Sequence, residues 1–345
     1  MMLKSGTPPF IGNKKKVLEG SVTCLEKVNL GGVEQSVLIR GKDVSQPLLL
    51  FLHGGPGLSQ TGFARHVQSE LEKHFIVVNW DQRGAGKSFS KKIRKSSMNV
   101  EQLVLDAHEL IRILLERFGQ KKLFLVGHSW GSVIGMILAK RHPELIHAYI
   151  GIGQIPHLEE CDRVAYQMLL IYARQNEKWF AVRQLNRIGY PPYRHPNHWF
   201  IQQKWLTKFG GFKRKKEPLS LRFRPLFSPE YTLADWIRHQ LGMRFGNRYL
   251  RPDLMKVNLF EQAAEVEVPV YFCVGRYDFT SPFEIQERYF EQLKAPAKEL
   301  VWFENSAHFP HLEEPSSFFV TCLRVKEDTL IPKRHSLLSL NGTFH

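Results

Sequence analysis

The chain has 345 residues, 43% of them hydrophobic, and carries a formal net charge of +15. A chain of this length and apolar content buries one large core, with room for an inserted smaller unit, which excludes disorder as the main state. No apolar run reaches the roughly 18 to 20 residues that cross a bilayer, and the opening "MMLKSGTPPFIGNKKKVLEG" lacks the apolar centre of a signal peptide, so a soluble, cytoplasmic protein is expected.

Two segments near the start, "SVTCLEKVNL" and "VEQSVLIRG", flank Gly31-Gly32 and read as a β-hairpin. "PLLLFLHGG" (residues 47–55) and "HFIVVNW" (residues 74–80) are apolar without alternation, as in parallel strands buried on both faces. "NVEQLVLDAHELIRILLERFG" (residues 99–119) predicts an amphipathic helix, with Asn99 as N-cap, Gln102 at the capping-box position and Gly119 as terminator. Strand "LFLVG", a helix over residues 132–142 and strand "LIHAYIGIG" (residues 145–153) continue the alternation that marks an α/β sheet, mostly parallel and covered by helices on both faces.

Over residues 155–264 the alternation stops and Trp, Tyr, Phe, Arg and Pro take over, with helical patches such as "RVAYQMLLIYARQ". Between residues 151 and 260 there are 19 Lys and Arg against 8 Asp and Glu, so this inserted helical cap carries most of the positive surplus. The rhythm returns with "VPVYFCVG" (residues 268–275), a helix over residues 282–293, "KELVWFE" (residues 298–304) and a closing helix over residues 315–325. The expected organisation is a core of residues 20–154 and 265–326, the cap at 155–264, an N-terminal extension of residues 1–19 and a C-terminal tail of residues 327–345.

Cys24, Cys161, Cys273 and Cys322 make no CxxC pair and have no histidines at metal-ligand spacing, which suits reduced thiols and neither a disulfide framework nor a metal site. The basic runs "KKK" (residues 14–16) and "KRKK" (residues 213–216) fit a solvated surface, and no RNP motif, zinc finger or basic zipper accompanies them. Neither nucleic acid nor membrane is expected as a partner, and no cofactor is implied.

The stretch "LFLVGHSWGS" places a lone hydroxyl between glycines where a buried strand turns into a helix. That is the pattern of a nucleophile elbow, which lifts Ser129 above the sheet edge at a helix N-terminus, where a developing negative charge is favoured. Serine needs a base and the base an orienting acid, in the chain order Ser, Asp or Glu, His. Asp278 in "CVGRYDFTSP" and His308 in "ENSAHFPHLEEP" each follow a strand and fit that order, with His53, His128, His311, Asp235 and Asp253 as weaker rivals. The backbone N–H of Trp130 and that of Gly55 in "HGGPG", with Gly54 behind it, are the candidate oxyanion donors. "DQRGAGKS" (residues 81–88) is no phosphate loop, because Asp81 stands where a Walker motif needs glycine.

Together "HGGPG", "DQRGAGKS", "GHSWGS", "GRYDFTSP" and "SAHFPHLEEP", in that order over residues 29–319, resemble the prolyl iminopeptidase group of α/β-hydrolases. The resemblance implies a cofactor-free cytosolic serine exopeptidase that releases an N-terminal residue, typically proline, from short peptides, with the triad carried onto Ser129, Asp278 and His308. Family members typically have Gly where this chain has His128, and hold the substrate ammonium with cap glutamates. Here Glu159, Glu160, Glu177, Glu217 and Glu230 are scattered candidates, and Trp130 together with cap aromatics is expected to line the pocket. A carboxylic ester, lactone or other acyl substrate is the alternative for the same machinery, and a non-catalytic binding protein on this scaffold the remaining one.

Overall fold

The computed structural model describes residues 5–12, 15–193, 195–214 and 228–330. Glu217, Lys14, Lys215, Lys216 and the tail beyond residue 330 lie outside the described residues. Strands β1 (Val22–Leu30), β2 (Val33–Gly41), β3 (Leu48–Leu52), β4 (Ile76–Asp81), β5 (Leu123–His128), β6 (Ile146–Ile152), β7 (Val270–Gly275) and β8 (Lys298–Phe303) form one sheet. Their spatial order is β1-β2-β4-β3-β5-β6-β7-β8, antiparallel at the β1-β2 and β2-β4 edges and parallel from β4 to β8.

The apolar runs become central strands because both sheet faces are covered. Leu48, Leu50 and Leu52 of β3 join a core shared with α1 (Val100–Phe118) and α2 (Trp130–Arg141). Leu49 and Phe51, pointing the other way, pack with Phe318, Cys322 and Val325 of the closing helix. In α1 the Asn99 side chain accepts from the Gln102 N–H at 2.8 Å, and Gly119 ends the helix at φ 62°. Gln102 does not reach back to complete a capping box; its amide bonds Asp106 Oδ1 instead at 2.9 Å.

Between β6 and β7 come α3 (Leu158–Gln175), α4 (Trp179–Ile188), α5 (Pro196–Lys208) and α6 (Leu233–Tyr249). The first three share a core of their own, with Leu169, Leu185, Trp205 and Leu206 at its centre. The last lies instead on the loops after β3 and β4. A Cβ on Gly242 would meet Gly84 O at 2.8 Å, and one on Gly246 would meet Pro56 at 3.1 Å, so glycine lets this helix seat that closely. Helices α7 (Phe283–Gln292) and α8 (Pro315–Leu330) complete the fold. The closing helix runs past residue 325 to Leu330, and the helix after the elbow starts at Trp130 rather than at residue 132. Among the described residues no helix is long and apolar enough to cross a membrane.

Candidate active site

Ser129 sits between β5 and α2 with φ 52° and ψ −120°, a conformation that L residues rarely adopt. Its N–H is held by Ile152 O at 2.8 Å, and its own carbonyl accepts from the Ser132 N–H at 2.8 Å. The following turn has no space for a side chain: a Cβ on Gly131 would fall 2.1 Å from Leu52 O. Small residues around the hydroxyl are therefore a packing requirement of the strand-to-helix turn.

His308 Nε2 lies 2.7 Å from Ser129 Oγ, and His308 Nδ1 lies 2.9 Å from Asp278 Oδ2. Asp278 Oδ1 already accepts the N–H groups of Thr280 and Ser281, each at 2.9 Å, so the carboxylate is fixed as an acceptor. Nδ1 of His308 must then donate, which leaves a lone pair on Nε2 for the serine proton. All three side chains are almost fully buried: 5% exposure for Ser129, 1% for His308 and none for Asp278. Gly153, at φ 53°, is what lets the imidazole and carboxylate close in, since a Cβ there would lie 2.8 Å from His308 Nδ1 and 3.2 Å from Asp278 Oδ2.

A hydrogen-bond network not anticipated from the motifs surrounds the "HGGPG" loop. His53 Nε2 accepts from the Gln82 N–H at 3.2 Å, so its Nδ1–H donates to Gly54 O at 2.8 Å. The Gln82 side chain returns a bond to His53 O at 2.9 Å and accepts from the indole N–H of Trp130 at 2.7 Å. One glutamine thus ties the glycine loop to the residue after Ser129. A Cβ on Gly54 would lie 3.1 Å from Ser129 Cβ, which measures how near the loop backbone passes to the hydroxyl. Among the described residues, no hydrogen bond occupies the N–H groups of Gly54, Gly55 or Trp130.

Other residues of "DQRGAGKS" are structural anchors. Asp81 accepts the Lys87 N–H at 2.7 Å and Thr61 Oγ1 at 2.6 Å; Arg83 forks onto Asp106 at 2.7 and 2.8 Å; Lys87 pairs with Asp235 at 2.8 Å. Both cations, Arg83 and Lys87, are engaged within the protein.

The rival residues find different work. Asp235 caps α6 through Thr232, and Asp253 accepts the Val100 N–H at 2.9 Å at the start of α1. His128 Nε2 donates to His308 O at 3.0 Å, and its Nδ1 has no partner among the described residues. Burial foremost, then the neighbouring His311 and His308, hold His128 well below the ordinary histidine range. Burial likewise takes His311 down to about 3 and His53 to about 4. Histidines that stay neutral beside His308 add no positive charge against an imidazolium formed there.

The expected pocket residues need correction. The Trp130 ring is fully buried in the sheet core and lines no pocket; its size is absorbed by packing under the elbow. Glu159 is paired with Arg163 and Glu160 with Arg288. Buried Glu230 is engaged by Arg65 at 3.2 Å, Thr7 and Ser228, and Glu177 is exposed at the corner after α3. Two residues that the motifs did not single out do border the site. Gln286 bonds Ser281 O at 2.6 Å and accepts the Gln154 N–H at 3.0 Å, bracing the acid loop, and Phe212 O accepts the His308 N–H at 3.3 Å. Among the described residues no group of three or more His, Cys, Asp or Glu is placed to hold a metal.

The family model of the α/β-hydrolase fold matches residues 47–315. A probable aminopeptidase, YbaC, of Bacillus subtilis (strain 168) is 38% identical over 307 residues, covering 88% of this chain and 96% of that protein. A proline iminopeptidase of Saccharolobus solfataricus is 23% identical over 289 residues, 78% of this chain and 81% of its own length. The solved proline iminopeptidase of Mycobacterium smegmatis superposes with a TM-score of 0.63 at 17% identity, covering 88% of this chain and 98% of that one, a likeness of fold. With the family model spanning most of the chain and the elbow at its centre, the protein belongs to the α/β-hydrolase family.

Proposed function

We propose that the protein is a serine hydrolase working through an acyl-enzyme intermediate, most specifically an aminopeptidase of prolyl iminopeptidase type acting on short peptides in the cytoplasm. The observation that carries this reading is the continuous chain from Ser129 Oγ through His308 to Asp278, at 2.7 and 2.9 Å. Ser129 Oγ attacks the substrate carbonyl carbon while His308 Nε2 takes its proton, and Asp278 holds the imidazolium. The oxyanion is received by the N–H of Trp130 and an N–H of the "HGGPG" loop. His308 then protonates the leaving amine, and water releases the acyl group by the same steps in reverse order. The relatives named as aminopeptidase and proline iminopeptidase support the peptide substrate.

Ser129→Ala is expected to lower turnover of proline arylamide by roughly 10⁴-fold or more with the protein still folded. Retained turnover in that variant would falsify the reading.

A second reading, an ester or other acyl substrate without an ammonium group, is favoured by the engagement of Glu159, Glu160 and Glu230 within the protein. A buried ammonium needs a free carboxylate. Proline naphthylamide and short-chain nitrophenyl esters, compared on the wild type, separate the two: hydrolysis of esters alone selects the second.

A further inference from the structure

Residues 178–216 contain ten Lys and Arg and no Asp or Glu, interleaved with aromatic residues. In the described part of this stretch, α4 and α5 turn their Ala181, Leu185, Ile188, Trp205 and Leu206 inward. What they turn outward is unusual for a water-facing surface. Trp179 and Phe180, in the first turn of α4, are 63% and 62% exposed, and Phe200 of α5 is 57% exposed. Phe180, Arg183 and Arg187 share one helix face at helical spacing; Phe200, Lys204 and Lys208 share another.

The two stripes meet. Lys204 Nζ stands 5.7 Å from the centre of the Phe180 ring and bonds Gln184 Oε1 at 3.1 Å, and Lys208 Nζ stands 5.0 Å from the centre of the Trp205 ring. Among the described residues, Lys178, Arg183, Arg187 and Lys208 have no carboxylate partner. The result is a patch of bare rings and uncompensated cations on a cap whose own core is already closed.

We propose that this face of α4 and α5 docks on an anionic phospholipid surface. Rings at the headgroup level and Lys or Arg at the phosphates are the two elements of peripheral binding, and here they alternate on one surface. A nucleic acid uses the same cations but leaves the rings half exposed, since a stacked base covers one ring face. A headgroup layer takes the whole exposed ring. Helix α5 leads directly into Gly211 and Phe212, whose carbonyls accept the N–H groups of Phe279 at 3.0 Å and His308 at 3.3 Å, so a docked surface would lie on an element fixed to the acid and base loops. The sequence alone leads to a solvated basic surface and no membrane partner; the exposed rings beside these cations, visible only in the fold, are the reason to depart from that expectation, and a surface contact leaves the chain outside the bilayer.

The test is co-sedimentation of the full chain with phosphatidylcholine vesicles, with and without phosphatidylserine, for the wild type, Lys204→Glu/Lys208→Glu and Trp179→Ser/Phe180→Ser. The wild type is expected to prefer phosphatidylserine vesicles in a salt-dependent way. The charge reversals should weaken that binding by about tenfold or more, and the serine variant should weaken binding while keeping the salt dependence of what remains. Far-UV circular dichroism and turnover of a soluble ester, unchanged in both variants, show that folding and the hydrolase reading stand apart from this result. Absence of a phosphatidylserine preference in the wild type, or wild-type binding by both variants, overturns the proposal. Tighter retention on single-stranded DNA that the same substitutions abolish replaces lipid by nucleic acid.

Discussion

Gln82 accepts from the Trp130 indole at 2.7 Å, donates to His53 O at 2.9 Å and presents its own N–H to His53 Nε2 at 3.2 Å. Among the described residues it makes no hydrogen bond to Ser129 or His308, so its effect on chemistry would pass through the two backbone segments proposed to supply the oxyanion donors. Gln82→Leu leaves the buried indole N–H unpaired and frees the glycine loop; kcat is expected to fall by roughly 10- to 100-fold with KM changed by less than about threefold. Gln82→Glu keeps an acceptor for Trp130 but loses the donor to His53 O, and should fall between. Equal kcat in all three proteins would remove the positioning role. The motif "DQRGAGKS" was visible in the sequence, yet which of its residues braces which loop was not, because each partner lies on a different segment of chain. Ser129, Asp278 and His308 were legible one by one, since each follows a strand end in a recognisable local pattern.

At the scale of elements, the hairpin β1-β2 is fastened to α1 by Arg83 and Asp106. Arg83 Nη2 also donates to Leu30 O at 3.1 Å and Gly31 O at 3.0 Å, and Asp106 Oδ2 accepts Gln35 Nε2 at 2.7 Å. Both charged side chains are buried, at 2% and 0% side-chain exposure. Removing one partner strands the other charge, so Asp106→Ala is expected to destabilise the protein by about 3 to 5 kcal/mol, read as a lowered urea midpoint. A loss under about 1 kcal/mol would mean that water or a neighbouring group takes the place of the carboxylate. The strands and α1 followed from apolar periodicity because both sheet faces and one helix stripe must be buried. The helices between β6 and β7 were announced only by a change in composition, because α6 holds its position through the close approach of Gly242 and Gly246 to distant loops and carries no strong apolar stripe.

Across the whole molecule, three buried histidines link stability to acidity. His53 is depressed to about 4, His311 to about 3, and His128 well below 6.5, with burial the leading cause in each. A depressed histidine pKa means that the unfolded chain binds a proton before the folded one does. Stability from this source is complete above about 6.5 and is lost as pH falls toward 4 and below, at about 1.4 kcal/mol per pH unit for each histidine. Urea unfolding across that window should show a midpoint that drops progressively on acidification. A flat profile would contradict neutral burial of these rings.

The positions of Ser129, Asp278 and His308 after strand ends, the buried parallel strands and the basic character of residues 151–260 could all be read from the chain, because each depends on neighbours within a few residues or on composition. Tertiary structure decided what those residues meet. Lys87 is spent on Asp235, Glu159 and Glu160 on arginines, and the Trp130 ring on the core, and each outcome depends on partners far apart along the chain. Local pattern specifies which groups can be reactive; only packing determines which remain unpaired once every buried charge and donor has found its counterpart.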